Sequence, residues 1–144
     1  MDWHKKAQGV DGFEPKDDPG VHSVTKIYNY FKKHGYNTIV MGASFRNIGQ
    51  ILALAGSDLL TISPALLAEL AEADGEITRS LNPEAASASD LEKISLDEST
   101  FRFLHNEDAM AVEKTAHGIR AFSADIVKLE ALIASMLQPE LAMA

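Results

Sequence analysis

The sequence predicts an α/β fold in which short parallel strands are backed by helices. Two apolar, β-branched runs, Thr38-Ile39-Val40-Met41 and Leu59-Leu60-Thr61-Ile62, have the length and composition of buried strands. Helical patterns stand before, between and after them, which is the rhythm of a parallel sheet with helices outside. Between about Asp108 and Leu137, apolar residues recur at spacings of three and four, as one face of a long helix.

Residues 1–22 read as mostly turn, because Asp11-Gly12 and Asp17-Asp18-Pro19-Gly20 are strong turn signals. Trp3 is expected at the end of a short helix. Ser23 is expected to cap a helix that runs to about His34, with Val24, Ile27, Tyr28 and Phe31 as its apolar stripe and Gly35 as its stop. The first strand follows, then a helix from about Asn47 to Ala55 that ends at Gly56. After the second strand, Ser63 and Pro64 suit the cap and first position of a helix over Ala65 to Ala73. Residues 74–95 read as a long, low-complexity surface loop, with Asn82-Pro83 and Ala85-Ala86-Ser87-Ala88-Ser89 at its centre. A short helix around Glu98 to Leu104 precedes the long one. The face of the long helix is Val112, Ala116, Ile119, Phe122, Ile126, Leu129, Ile133 and Met136, and a bend is expected near Gly118 or Ser123. The expected organisation is therefore residues 1–73 as βα units, 74–95 as loop and 96–144 as C-terminal helices.

Composition narrows the function classes. The 144 residues are enough for one domain, 46% of them are hydrophobic and 24% charged, which is ordinary for a globular chain. Thirteen Lys and Arg against 21 Asp and Glu give a net charge of −8. An acidic chain with no basic cluster is a poor ligand for nucleic acid, whose affinity comes largely from Lys and Arg on phosphates. The absence of cysteine excludes disulfides, thiolate metal sites and a cysteine nucleophile, and fits a reducing compartment. No apolar stretch approaches the roughly 20 residues that cross a bilayer, and Met1-Asp2-Trp3-His4-Lys5-Lys6 lacks the apolar core of a signal peptide. The expectation is a soluble, cytoplasmic protein with no membrane contact.

The segment that carries chemistry is Gly42-Ala43-Ser44-Phe45-Arg46-Asn47, between a strand and a helix start. A helix N-terminus offers unpaired N–H groups and the positive end of a dipole, both suited to an anion. Gly42 and Ala43 leave room near the backbone, Ser44 adds a hydroxyl, and Arg46 adds a planar fork for two phosphate oxygens. A plain structural role is the alternative, with Ser44 as a cap and Arg46 as a solvated side chain. Against it, a cation in a first helical turn is opposed by the dipole by about 0.3–1 kcal/mol, and a bound anion would relieve this. Thr61 or Ser63 could line the same pocket, although capping explains Ser63 more simply.

Other residue types are less informative. His4, His22, His34, His105 and His117 show no metal-ligand spacing, so no metal is expected. Glu69, Glu72, Asp74 and Glu76 read as a solvated face, and Asp17 and Asp18 as turn formers. Lys5, Lys6, Lys16, Lys26, Lys32, Lys33, Lys93, Lys114 and Lys128 all lie in polar turns or on polar helix faces. None has the desolvated setting that an imine-forming lysine needs.

The run Val40-Met41-Gly42-Ala43-Ser44-Phe45-Arg46-Asn47 resembles the seventh-strand motif of transaldolases. The resemblance extends along most of the chain: Asp2-Trp3 through Val21 is similar to the stretch after the sixth strand, and Ile27-Tyr28 through Tyr36 to the next helix. Leu60-Thr61-Ile62-Ser63-Pro64-Ala65-Leu66-Leu67 is similar to the eighth strand and its loop. His105-Asn106-Glu107-Asp108-Ala109-Met110-Ala111 and Gly118-Ile119-Arg120-Ala121-Phe122 are similar to the C-terminal helices. Asp74 to Leu96 matches poorly.

The resemblance implies a (β/α)₈ TIM barrel of class I aldolase type, of which this chain holds strands seven and eight and the C-terminal helices. It implies a transferase that moves a dihydroxyacetone unit from sedoheptulose 7-phosphate or fructose 6-phosphate to an aldose phosphate through a lysine Schiff base, in the pentose phosphate pathway. No cofactor or metal is implied, and Ser44 and Arg46 are implied to bind the substrate phosphate. The family's lysine of the fourth strand, aspartate of the first, glutamate of the third and arginine at the end of the sixth have no counterparts here. A whole barrel takes about 250 residues. The chain is therefore expected to be a fragment, whether a truncated or split gene product or an incomplete gene model. By itself it is expected to be inactive, and to be unstable, to self-associate or to need the missing N-terminal barrel part. A homodimer is expected of the complete enzyme. The other readings are a non-catalytic sugar-phosphate-binding paralogue and a helical interaction protein.

Overall fold

A computed structural model describes residues 1–137. They fall into two compact units, Met1–Ile94 and the residues from Ser95 onward. In the first unit the order is α1 (Asp2–Gln8), a 3₁₀ turn (Pro15–Asp17), α2 (Pro19–Lys33), β1 (Met41–Gly42), α3 (Ile48–Ala53), β2 (Leu59–Leu60), α4 (Pro64–Glu72) and α5 (Pro83–Ser87).

The two strands pair in parallel, Met41 with Leu59 and Gly42 with Leu60, as the alternation of elements requires. They are shorter than the apolar runs that encode them, for a local reason. The Val40 N–H, which would continue the ladder, donates instead to the Asp58 carboxylate at 2.8 Å. Beyond Gly42, whose carbonyl accepts the Thr61 N–H at 2.8 Å, the chain leaves the ladder for the loop to α3. Nor are the strands buried on both faces: Val40 and Gly42 are buried, while Ile39, Met41 and Leu59 are 67%, 56% and 52% exposed. That corrects the expectation of fully buried strands. Helix cover lies on one side, where Val21, Tyr28, Val40, Leu54, Leu81 and Ala86 form the core, with Phe31, Phe45 and Leu60 against it.

Helix α2 starts earlier than expected. Its cap is Asp18, not Ser23; Asp18 Oδ1 accepts the Gly20 and Val21 N–H groups at 2.7 and 3.4 Å, and Pro19 takes the first helical position. Ser23 lies exposed inside the helix. Gly35, at φ 68°, follows the end of α2. Residues 1–22 are also less turn-like than expected, since α1 is a helix of 7 residues stopped by Gly9 in the left-handed region. Asn47 caps α3 through the Gln50 N–H at 3.0 Å, and Ser63 caps α4 through the Leu66 N–H at 3.4 Å, each ahead of the helix its position foretells.

The largest correction concerns residues 74–95. They are not a pure surface excursion: Asn82 caps α5, and Leu81 and Ala86 enter the core, Ala86 at 0% exposure. Helix α5 packs on α2, where a small alanine permits close approach. The Ser80 and Leu81 N–H groups both donate to the Ala55 carbonyl, at 2.8 and 2.9 Å.

In the second unit α6 (Glu98–Glu107) is capped by Asp97, which accepts the Thr100 N–H at 2.7 Å, and packs on α7 (Ala109–Leu137). Helix α7 runs uninterrupted for 29 residues, through Gly118 and Ser123, so no break in the helix marks the expected bend. Its repeating apolar residues, from Ile119 and Phe122 to Ile133 and Met136, are exposed. The end of the expected C-terminal region, residues 138–144, lies outside the described residues. No helix among those described is long and apolar enough to cross a membrane.

Candidate functional site

The loop between β1 and α3 turns on one residue. Ser44 has φ 61°, the left-handed region that a residue with a Cβ rarely adopts. Such a conformation costs on the order of 1–3 kcal/mol and persists where the surroundings over-determine it. Here they do. The Arg46 N–H donates to Gln50 Oε1 at 2.7 Å, Arg46 Nη1 reaches back to the Ser44 carbonyl at 2.9 Å, and Asn47 closes the first turn of α3. Gly42, just before the turn, has no room for more: a Cβ there would lie 2.9 Å from Leu60 Cδ2 and 3.1 Å from Phe45 Cζ.

The turn leaves Ser44 exposed and Arg46 half-exposed at the edge of a cavity of about 190 Å³, walled by Asp18, Val24, Leu54 and Gln50 as well. Ser44 and Arg46 are thus brought together. Thr61 and Ser63 are not: the Thr61 hydroxyl donates to Met41 Sδ at 3.2 Å and Ser63 caps α4.

Arg46 is placed differently from its sequence expectation. It precedes the cap residue Asn47 rather than standing in the first turn, and α3 has only 6 residues. The dipole argument for a bound anion therefore loses its force. A carboxylate of the chain itself faces the guanidinium: Asp2 Oδ2 accepts from Arg46 Nη2 at 2.9 Å, with side chains 65% and 50% exposed. The hydrogen bond first, and the opposite charge second, hold the Asp2 carboxyl below its ordinary range and raise the Arg46 guanidinium further above its own. An incoming anion would meet an arginine already oriented and already paired.

Two buried polar groups stand behind the loop. Asp18 and Gln50 are 1% and 5% exposed, and Gln50 Nε2 donates to Asp18 Oδ2 at 2.6 Å. Neither stands out in the sequence, where Asp18 is accounted for by a turn and Gln50 by a helix. The available signal is Asp18 directly before Pro19, the arrangement of a helix cap, and a cap carboxylate has a second oxygen to use.

No group of histidines, aspartates and glutamates able to hold a metal occurs among the described residues. None of the nine lysines is buried. Lys32 pairs with Asp58 at 2.7 Å, Lys128 with Asp125 at 2.9 Å, and Lys33 donates to the Ser89 carbonyl. Burial raises the Asp58 carboxyl, but the hydrogen bonds from Lys32 and the Val40 N–H, with the Lys32 charge, outweigh it and leave the group below its ordinary value.

Residues 1–133 match the family model described as transaldolase/fructose-6-phosphate aldolase, a family that implies an aldolase-type TIM barrel. The chain is 62% identical to the transaldolase of Bos taurus and 61% identical to that of Homo sapiens, each over 92% of this chain and 40% of the relative. It is 58% identical to the transaldolase of Alteromonas mediterranea, over 95% of this chain and 42% of the relative. It spans about two fifths of the length of these curated relatives. With a strand-to-helix turn of this geometry inside the matched region, the chain belongs to the transaldolase/fructose-6-phosphate aldolase family.

Proposed function

We propose that the chain is the phosphate-gripping part of a transaldolase, with Ser44 and Arg46 holding the phosphate of a sugar phosphate. The observation that carries the reading is the strained turn at Ser44, which brings Ser44 and Arg46, joined by the Arg46 Nη1 bond to the Ser44 carbonyl, to the edge of one cavity beyond β1. In barrel enzymes the loops after strands bear the active site, and those after the last two strands often take phosphate. The transferred unit is dihydroxyacetone, donated by sedoheptulose 7-phosphate or fructose 6-phosphate to an aldose phosphate in the pentose phosphate pathway. The chemistry runs through a Schiff base on a lysine that is none of this chain's nine, so this chain is inactive by itself. Residues 1–144 belong to one barrel domain, whose remaining strands cover the exposed face of Ile39, Met41 and Leu59. The complete enzyme is a cytoplasmic homodimer with no nucleic-acid or membrane partner.

Calorimetry with fructose 6-phosphate tests the grip. Loss of Arg46 removes a charge-assisted hydrogen bond, about 1.5–3 kcal/mol, so Arg46→Ala should weaken binding roughly tenfold or more. Equal affinity of the two chains would place the phosphate elsewhere. Absence of binding by a folded chain would favour an interaction role for its helices. Activity that appears on mixing with the N-terminal part of a family member would establish the transferase reading.

A further inference from the structure

The buried pair behind the loop has a direction. Asp18 Oδ1 is committed to the N–H groups that open α2, at 2.7 and 3.4 Å, and Oδ2 accepts from Gln50 Nε2 at 2.6 Å. The other end of the same amide, Gln50 Oε1, accepts the Arg46 N–H at 2.7 Å, and Nε2 also lies 3.0 Å from Met1 Sδ. A backbone N–H can only donate and a carboxylate can only accept. Only one orientation of the Gln50 amide satisfies both neighbours, and no buried side-chain nitrogen or oxygen among the described residues lacks a partner. For side chains this buried, an amide turned over would set Nε2 against the Arg46 N–H and Oε1 against the Asp18 carboxylate, at a substantial cost.

We propose that Asp18 and Gln50 are positioning residues for the anion grip. Asp18 fixes which way the Gln50 amide faces, and Gln50 thereby pins the Arg46 backbone and holds Ser44 in its left-handed conformation. The start of α2 is in this way tied to the geometry of a loop 26 to 28 residues further on. Both also line the cavity at whose edge Ser44 and Arg46 stand, and the role assigned to them is to position the loop. The inference rests on the phosphate-site reading for its purpose, but the two fail in different measurements.

The test is an amide exchange of donor and acceptor. Asp18→Asn keeps a good cap for α2 but presents an amide nitrogen to Gln50, so the Gln50 amide must turn and release the Arg46 N–H. The double variant Asp18→Asn with Gln50→Glu restores the pattern with the net charge unchanged: the amide introduced at position 18 would donate to one oxygen of the new carboxylate and the Arg46 N–H to the other. Two readouts are taken on the full chain, hydrogen exchange of the Arg46 amide without ligand, and titration with inorganic phosphate. The expected result is at least tenfold faster Arg46 exchange and at least tenfold weaker phosphate binding in Asp18→Asn, with both recovered in the double variant. Unchanged exchange in a folded Asp18→Asn chain overturns the proposal. So does a wild-type Arg46 amide that exchanges as fast as an unstructured one, a result that needs no variant to fold. If exchange follows the expected pattern but wild type shows no response to phosphate, the site reading fails, and with it the purpose assigned to the pair.

Discussion

Gly56→Ala should destabilise the Met1–Ile94 unit by about 3–5 kcal/mol, and the sum can be followed atom by atom. Gly56 sits at φ 101°, where a side chain is strained whatever its surroundings, by about 1–2 kcal/mol. The surroundings are also closed: a Cβ would lie 2.1 Å from the Leu81 carbonyl oxygen and 2.9 Å from Arg79 Cγ. The arginine end can swing away, but the carbonyl is backbone and can yield only if residues 79–82 lift. Lifting them breaks the hydrogen bonds of the Ser80 and Leu81 N–H groups to Ala55 and of the Ser80 hydroxyl to the Leu52 carbonyl, each worth about 1 kcal/mol. It also draws the Leu81 side chain out of the core, a further 1.5–3 kcal/mol or so for full exposure. Partial relaxation keeps the total below the sum, yet a loss of this size is a large share of the stability of an ordinary domain. Urea unfolding of the two chains measures it, with Gly75→Ala as the control. Gly75 also has positive φ, 138°, but no atom within 4 Å of its added Cβ, so it reports strain without displacement. A Gly56→Ala midpoint no lower than that of the control would refute the argument and return residues 79–82 to the surface.

Three further outcomes follow from the same structure. Asp2→Asn should tighten inorganic phosphate binding at low ionic strength, because it removes a carboxylate that shares the Arg46 guanidinium; the difference should shrink as salt screens the exposed charges, and weaker binding in the variant would show that Asp2 supports the grip instead. The Asp58 carboxyl is held below its ordinary value, so its bonds to Lys32 and the Val40 N–H contribute stability that is present above the unfolded pKa and lost as pH falls through the lowered one. The difference between the unfolding midpoints of wild type and Asp58→Asn should therefore begin to shrink as pH falls below about 3.8, and a constant difference down to about pH 2 would exclude this origin. Leu54→Ala empties the middle of the core and should cost about 2–5 kcal/mol in urea unfolding; a cost below 1 kcal/mol would mean that the core is not centred there.

Local chemistry was legible in the sequence wherever a residue acts on its own neighbours. Ser63, Pro64 and Gly35 do what their positions foretell, because caps and stops act over only a few residues. Of the expected stripe of α2, Val24, Tyr28 and Phe31 face the core while Ile27 is exposed, and the cap of α3 is Asn47, not the capping candidate Ser44. The errors have a common source. Asp17-Asp18-Pro19-Gly20 and Asn82-Pro83 serve equally as turns and as helix starts, and the choice depends on what the following residues pack against. Ala86 is buried because it is small, which in a run of alanines and serines reads as low complexity. Ser44 and Arg46, the candidate site residues, can be read together because a single residue separates them in sequence. Asp2 is 44 residues from Arg46, and Asp18 is 32 from Gln50, and no periodicity records such pairs.

The strand runs carry one more piece of information. Runs this rich in apolar and β-branched residues call for cover on both faces, yet in the Met1–Ile94 unit Val40 is buried under helices while Ile39, Met41 and Leu59 stand open. The covered side has an internal consistency that the open side lacks. Asp2 and Gln50, which accept from Arg46, and Asp18 and Asn47, which accept from Gln50 in turn, all lie on α1 or α3 or cap α2 and α3. The loop geometry therefore depends on contacts made within the unit, whereas Ile39, Met41 and Leu59 find no cover in it. The proposed function makes phosphate binding and turnover separable, the first assigned to Ser44 and Arg46 of this unit and the second to a lysine that is none of this chain's nine.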